Sequence, residues 1–166
     1  MTRDLTPDRR LTDRGREQSR VAGCALAAIK VQVHVCFTSP KVRARDTAVL
    51  ACQALGIHPL EHATLFAGFD VDDARELLAI AGTDQRVLVI GHEPDFSQIV
   101  HDLTGARLDF KKGGIAAVRL DGARGELIAL LRPRELVRRT ASGRRKPSKD
   151  GLCLPAAVKR PVSKPG

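Results

Sequence analysis

The hydrophobic and polar positions along the chain form short apolar runs separated by longer segments with helical spacing. The clearest run, Val-Leu-Val-Ile at residues 87–90, predicts a strand buried on both faces, as in a parallel sheet. Residues 31–37 are rich in β-branched side chains and predict a second buried strand. Apolar residues at helical spacing predict four helices, over about 12–29, 41–55, 72–81 and 96–103. This alternation is typical of an α/β fold.

The second half of the pattern predicts a different kind of strand pairing. Residues 115–120 and 126–131 alternate as strands around a glycine-containing turn, which predicts an antiparallel hairpin at one edge of the sheet. A weaker strand is predicted over 64–66. Pro133 is expected to close the folded part. We therefore assign one domain to residues 1–137 and a separate tail to residues 138–166.

Two predicted strand ends carry candidate chemistry. His92 follows Gly91 at the end of one strand and precedes a helix whose amide groups could face an anion. Ser39 follows the other strand, and Arg43 falls in the first turn of the next helix. Hydroxyls, amides and a guanidinium group would then converge, which suits phosphate. Taken singly, His92 is equally compatible with a turn histidine, and Arg43 alone is better explained as a surface arginine on a helix.

The net charge of +9 is unevenly distributed. Residues 1–133 contain 18 basic and 17 acidic side chains, whereas residues 134–166 contain 10 and 2. The tail composition predicts disorder, and its charge would allow contact with nucleic acid or an acidic partner, but a solubilising tail without a specific partner is the favoured interpretation. The chain has five Phe and neither Trp nor Tyr, which argues against a stacking platform for single-stranded nucleic acid.

The cysteine pattern indicates a reducing compartment. The four cysteines form no Cys-x-x-Cys pair, and Cys24, Cys36 and Cys52 lie within apolar patterns, where a free thiol behaves as a small hydrophobic group. We therefore expect a cytoplasmic protein with no structural metal and no cofactor. The sequence contains no apolar run long enough to cross a membrane and no signal-peptide core at its start, so we expect no membrane partner.

Three motifs in a fixed order carry a family resemblance. They are Arg10-Leu-Thr-x-x-Gly15-Arg-x-Gln18, Thr38-Ser-Pro-x-x-Arg43-Ala-x-x-Thr47-Ala and Val89-Ile-Gly-His92-Glu-Pro. Segments 111–114 and 131–136 add weaker agreement. Over about residues 9–136, the chain resembles the histidine phosphatase superfamily, in particular its phosphohistidine phosphatase (SixA-like) branch.

The resemblance implies a phosphoglycerate mutase-like fold, a three-layer α/β sandwich with a mostly parallel sheet flanked by helices. It also implies metal-independent hydrolysis of phosphohistidine on proteins through a phosphohistidine intermediate. By motif position, His92 and Arg43 match catalytic residues that bind the phosphate, and Ser39 is a weaker phosphate-binding candidate. The partner implied is a phosphorylated protein, or alternatively a small phosphate compound.

The sequence departs from the family pattern at the nucleophile. It contains no Arg-His-Gly motif, and no strand-like segment precedes Leu11. The other four histidines match no family motif: His34, His58, His62 and His101. We expect the first strand to belong upstream of Met1, the alternative being a protein that lacks it. The 166-residue chain is therefore expected to be inactive or nearly so. A non-catalytic phosphate-binding module and a small phosphate-ester phosphatase remain alternative functions.

Overall fold

The structure is a computed structural model that describes residues 9–142. Its elements follow the predicted alternation of helices and strands. In order they are α1 (Asp13–Ala28), β1 (Val35–Thr38), α2 (Val42–Leu55), β2 (Pro59–Glu61), a 3-10 helix (Ala63–Phe66), α3 (Val71–Ala81), β3 (Val87–Ile90), α4 (Asp95–Thr104), β4 (Ile115–Asp121), β5 (Arg124–Leu131) and α5 (Pro133–Ser142).

The strands form two separate sheets. Three parallel strands pair in the order β2-β1-β3, and Phe37 of β1 lies opposite both Leu60 of β2 and Val89 of β3. Strands β4 and β5 pair only with each other, as an antiparallel hairpin. The predicted α/β architecture with a parallel sheet flanked by helices is confirmed. The hairpin was expected at an edge of that sheet, and this placement is wrong because it forms its own sheet.

Strand β3 packs on both faces but is not fully buried. Val87 and Val89 lie against one core cluster, formed by Phe37, Leu65, Phe69, Leu77 and Ile99. Leu88 and Ile90 lie against a second cluster, formed by Cys36, Ala48 and Cys52. All four strand residues nevertheless keep partial solvent exposure, because β3 is one of the two edge strands of this sheet within residues 9–142. The prediction of a strand flanked by apolar contacts on both faces is therefore right, and the prediction of full burial is wrong.

Several predicted boundaries are corrected by local geometry. The strand expected over 31–37 begins only at Val35, because the preceding residues finish α1: Val31 N–H donates to Leu26 O at 3.1 Å, and Lys30 adopts a positive φ of 57°. The strand expected at 64–66 is the 3-10 helix instead, and β2 lies just before it.

The C-terminal boundary is also corrected. Pro133 does not close the folded part but begins α5, a position suited to proline because the first helical N–H has no intrahelical acceptor. Leu136 is 1% exposed, and α5 packs against α1. The predicted boundary after residue 137 therefore falls inside a helix. The prediction of a disordered tail, from 143 onward, lies outside the described residues.

The cysteine prediction holds for two of its three residues. Cys36 and Cys52 are buried free thiols in the core, whereas Cys24 is disulfide-bonded. Across residues 9–142, no helix is long and apolar enough to span a membrane.

Helices α1 and α2 lie side by side and run in the same direction. The Arg16 guanidinium lies 3.8 Å from the Asp46 carboxylate. Further along both helices, Gly23 faces Ala51, so the residue numbers of the contacts increase together. A Cβ atom on Gly23 would lie 2.2 Å from the Ala51 carbonyl oxygen, so only glycine permits this approach. The first turns of both helices consequently lie at the same end of the domain.

We predict that Gly23→Ala destabilises the protein. Alanine is intrinsically favoured over glycine in a helix by about 1 kcal/mol, but the added methyl group must push α1 away from the α2 backbone, which we expect to lower the free energy of unfolding by roughly 1–3 kcal/mol. Urea denaturation followed by circular dichroism measures this change.

The control for this prediction is Arg14→Ala, an exposed position on the same helix that should change stability by less than about 0.5 kcal/mol. A Gly23→Ala variant as stable as the parent protein contradicts the close packing of the two helices.

Candidate active site

Neighbouring parallel strands bring Ser39 and His92 together. Thr38, the last residue of β1, lies opposite Ile90, the last residue of β3. Ser39 N–H then donates to Ile90 O at 3.0 Å, and His92 follows β3 by two residues. The Nε2 atom of His92 consequently lies 2.9 Å from Ser39 Oγ. The family resemblance implied that these two residues share one pocket, and the structure places their side chains in contact.

The Ser39 hydroxyl is held in place on two sides. Ser39 is fully buried, and its Oγ accepts a hydrogen bond from the Lys41 N–H at 3.3 Å in addition to its contact with His92. Lys41 is the N-cap residue of α2, and the helix begins at Val42. The hydroxyl therefore links the end of β1, the start of α2 and the imidazole.

Arg43 is the second residue of α2 and contributes a positive charge at this end of the sheet. None of the ion pairs in the described part of the chain includes it. Its backbone is fixed because Thr47 Oγ1 donates to the Arg43 carbonyl at 2.8 Å. A guanidinium group without a carboxylate partner, next to a helix start, can receive an oxyanion through two parallel hydrogen bonds.

Lys41 is a site residue that the sequence reasoning missed. Its Nζ lies 4.8 Å from the centre of the Phe66 ring, and its charge acts on His92 together with that of Arg43. The only signal in the sequence was its place between Ser39-Pro40 and the helix, where a lysine is otherwise read as an ordinary surface residue.

His92 is poised as a neutral imidazole. Partial burial is the largest cause that lowers its pKa from 6.5 to about 4, and the nearby charges of Lys41 and Arg43 contribute in the same direction. The Asp95 carboxylate opposes the shift. Because the two cations disfavour the imidazolium, an anion that neutralised them would make protonation of His92 easier. The arrangement can therefore couple the binding of an anion to the uptake of a proton by His92.

Asp95, at the start of α4, accepts backbone hydrogen bonds from a neighbouring loop. Its Oδ2 accepts hydrogen bonds from Gly68 N–H at 3.1 Å and Phe69 N–H at 3.2 Å, which ties α4 to the loop after the 3-10 helix. Gly91 allows the segment between β3 and α4 to pass close to Phe96, since a Cβ at residue 91 would lie 2.9 Å from the Phe96 ring. Together these contacts set the direction in which His92 leaves the sheet.

Three other histidines, His34, His62 and His101, have local contacts that differ from those of His92. His34 Nδ1 accepts from Arg86 N–H at 2.9 Å, at the opposite end of β1 and β3. The His62 ring contacts Thr64 Oγ1 at 2.9 Å and the edge of Phe37, and His101 lies in the last turn of α4 with a buried, unpaired Nδ1. No group of three or more His, Cys, Asp or Glu side chains in the described residues could hold a metal ion.

Comparison with known proteins agrees with this geometry. The family model of the histidine phosphatase superfamily (branch 1) matches residues 4–77. An uncharacterized protein of Picosynechococcus sp. (strain PCC 7002) is 31% identical over 147 residues, which cover 78% of this chain and 87% of that protein.

Solved structures show the same fold. The protein histidine phosphatase SixA, solved in complex with tungstate, is 26% identical, with a TM-score of 0.72 over 82% of this chain and 92% of that one. SixA proteins of Agrobacterium tumefaciens and Nakamurella multipartitia are 21% and 24% identical, with TM-scores of 0.64 and 0.67, and each match covers 80% of this chain and 87% and 88% of theirs. The chain belongs to the histidine phosphatase superfamily and has the SixA-like fold.

Proposed function

We propose that this protein serves metal-independent hydrolysis of phosphohistidine on proteins, and that the 166-residue chain holds the phosphate-binding part of the site without the nucleophile. The observation that carries this proposal is the contact of 2.9 Å between His92 Nε2 and Ser39 Oγ beside the unpaired Arg43. The tungstate in the SixA structure supports it, because tungstate is a tetrahedral oxyanion like phosphate.

The chemistry of the pocket suits transfer of a phosphoryl group. Arg43 would bind two phosphate oxygens, and the first amides of α2 would face the same charge. Once the anion offsets the nearby cations, His92 can take up a proton and donate it to the nitrogen that leaves when a phosphoramidate bond breaks. Positive charge around the oxygens then stabilises the transition state.

We further propose that the nucleophile comes with a strand added alongside β3. The edge position of β3 and the partial exposure of residues 87–90 support this, because an added parallel strand would cover that edge. A strand in this place would end next to Ser39 and His92, at the carboxyl end of the sheet where α/β proteins bind ligands. The missing Arg-His-Gly motif would belong there.

A second candidate function is a non-catalytic module that binds phosphorylated groups. It is favoured by one observation: none of the five histidines of the sequence stands in an Arg-His-Gly motif. The same pocket would then recognise a phosphate without transferring it. A test of turnover separates the two functions, and a test of anion binding checks the pocket that both require.

We predict that sulfate binding becomes tighter as the pH falls. The His92 pKa of about 4 in the free protein should rise when the dianion binds, so binding takes up a proton, and the affinity should increase by up to about tenfold per pH unit below the pKa of the bound form. Sulfate keeps its charge between about pH 8 and pH 5. NMR of the His92 ring measures both the pKa and the affinity at constant ionic strength.

Two variants separate the contributions to that pH dependence. His92→Gln should bind sulfate with an affinity that no longer changes with pH in this range. Arg43→Ala should weaken binding by roughly tenfold at every pH, since it removes a charge-assisted contact. An unchanged affinity between about pH 8 and pH 5 in the parent protein contradicts the coupling of anion binding to protonation of His92.

We predict that residues 1–166 do not hydrolyse a phosphohistidine peptide above the level of the His92→Ala variant, because the covalent nucleophile is absent. Extending the chain at Met1 by a short apolar strand that ends in Arg-His-Gly should create turnover. Release of inorganic phosphate from the peptide measures this activity, and p-nitrophenyl phosphate tests the phosphate-ester alternative in the same assay.

The matched control for the extended chain ends its strand in Arg-Asn-Gly, which preserves the strand but cannot carry a phosphoryl group. Turnover by this control, or by the unextended chain, contradicts the assignment of the nucleophile. An extended chain that binds sulfate but never turns over the peptide supports the non-catalytic module.

A further inference from the structure

A basic cavity lies next to the phosphate pocket and has no part in the chemistry described above. It has a volume of about 410 Å³ and is lined by Arg10, Arg16, Val42, Arg45 and Asp46. Because α1 and α2 run side by side in the same direction, the cavity lies between their first turns. It shares the first turn of α2 with Arg43, so the two sites are neighbours.

The charges that line the cavity are not balanced. Three guanidinium groups face one carboxylate, and the Arg16–Asp46 distance of 3.8 Å makes that ion pair a loose one. Arg45 lies 3.5 Å from Glu61, which is not part of the lining, and Arg10 forms no ion pair with any described residue. An excess of guanidinium groups over carboxylates around a concave surface attracts anions, and guanidinium groups bind carboxylates through paired hydrogen bonds.

The ion pairs already present do not compete strongly with a ligand. The side chains of Arg16 and Asp46 are 38% and 28% exposed, and those of Arg45 and Glu61 are 45% and 47% exposed. Ion pairs at such exposed positions contribute little free energy. The guanidinium groups can therefore turn to an incoming carboxylate at small cost.

We propose that this cavity is a second subsite that binds acidic side chains of the substrate protein close to its phosphorylated histidine. The inference rests on the proposed function, because a phosphoryl group held by Arg43 and His92 places the polypeptide next to it at the start of α2. The subsite selects phosphoproteins that carry Asp or Glu beside the modified histidine. Arg10 and Arg16 are its specificity-determining residues, and Asp46 limits its affinity.

The test uses the full chain and a fluorescein-labelled hexaglutamate peptide, followed by fluorescence anisotropy at about 0.15 M salt. The variant Arg10→Gln/Arg16→Gln should bind the peptide about tenfold more weakly than the parent protein. The control Arg75→Gln/Arg119→Gln removes the same charge from exposed residues of α3 and β4 and should change binding less than twofold. Equal losses in both variants overturn the proposal, because the basic tail would then account for the binding.

A gain of affinity provides a test that misfolding cannot imitate. Asp46→Asn frees Arg16 and removes the one carboxylate of the lining, so we expect the peptide to bind about two- to threefold more tightly. Asp121→Asn makes the same change in net charge at an exposed position of β4 and should not reproduce the gain beyond the effect of that charge. Equal effects of the two substitutions overturn the proposal.

Sulfate binding at His92 distinguishes failure of this subsite from failure of the proposed function. The Arg10→Gln/Arg16→Gln variant should bind sulfate as the parent protein does, which also verifies that it is folded. If the parent protein binds the peptide through the cavity but does not bind sulfate, the proposed function fails and the carboxylate subsite stands. If sulfate binds normally and the cavity variant keeps full peptide affinity, only the subsite is wrong.

Discussion

The parallel pairing of β1 with β3 is the interaction on which the site depends. Its register sets Thr38 opposite Ile90, so the segments that follow β1 and β3 leave the sheet at the same level. One further backbone hydrogen bond, from Ser39 N–H to Ile90 O, continues the pairing past the strands. A shift of this register by one residue would turn every side chain of a strand to the other face and separate Ser39 from His92. The geometry of the pocket is therefore a consequence of backbone hydrogen bonding.

The charges around His92 give that geometry its chemical character. Lys41 and Arg43 follow directly from the turn into α2, and both act on an imidazole that partial burial has already made less basic. A neutral histidine near two cations is an unfavourable place for any further positive charge. Under the proposed function, a bound oxyanion would offset those charges, so the same cations that lower the His92 pKa would also attract phosphate.

Much of this arrangement could be predicted from the sequence because it is local. The strand at residues 87–90, the following Gly91 and the helix predicted from residue 96 are encoded within ten residues, and the structure places the helix start one residue earlier, at Asp95. Lys41 could not be identified, since its effect depends on a histidine 51 positions away in the chain. The partial exposure of β3 and the helix that begins at Pro133 could not be predicted for a related reason. The burial of an element depends on which other elements lie beside it, and an apolar pattern does not specify those neighbours.

The exposed edge of β3 bears on the absence of an Arg-His-Gly motif from this sequence. A strand with apolar contacts on both faces is usually central in a parallel sheet, because helices cover its faces and strands cover its edges. Here the faces are covered and one edge is open, so the side chains of residues 87–90 are suited to an interior position that the backbone does not have. That mismatch concerns the strand whose end carries His92. Under the proposed function, one added strand would supply both the hydrogen-bonding partner for that edge and the nucleophile, so the same segment would complete the sheet and the catalytic site.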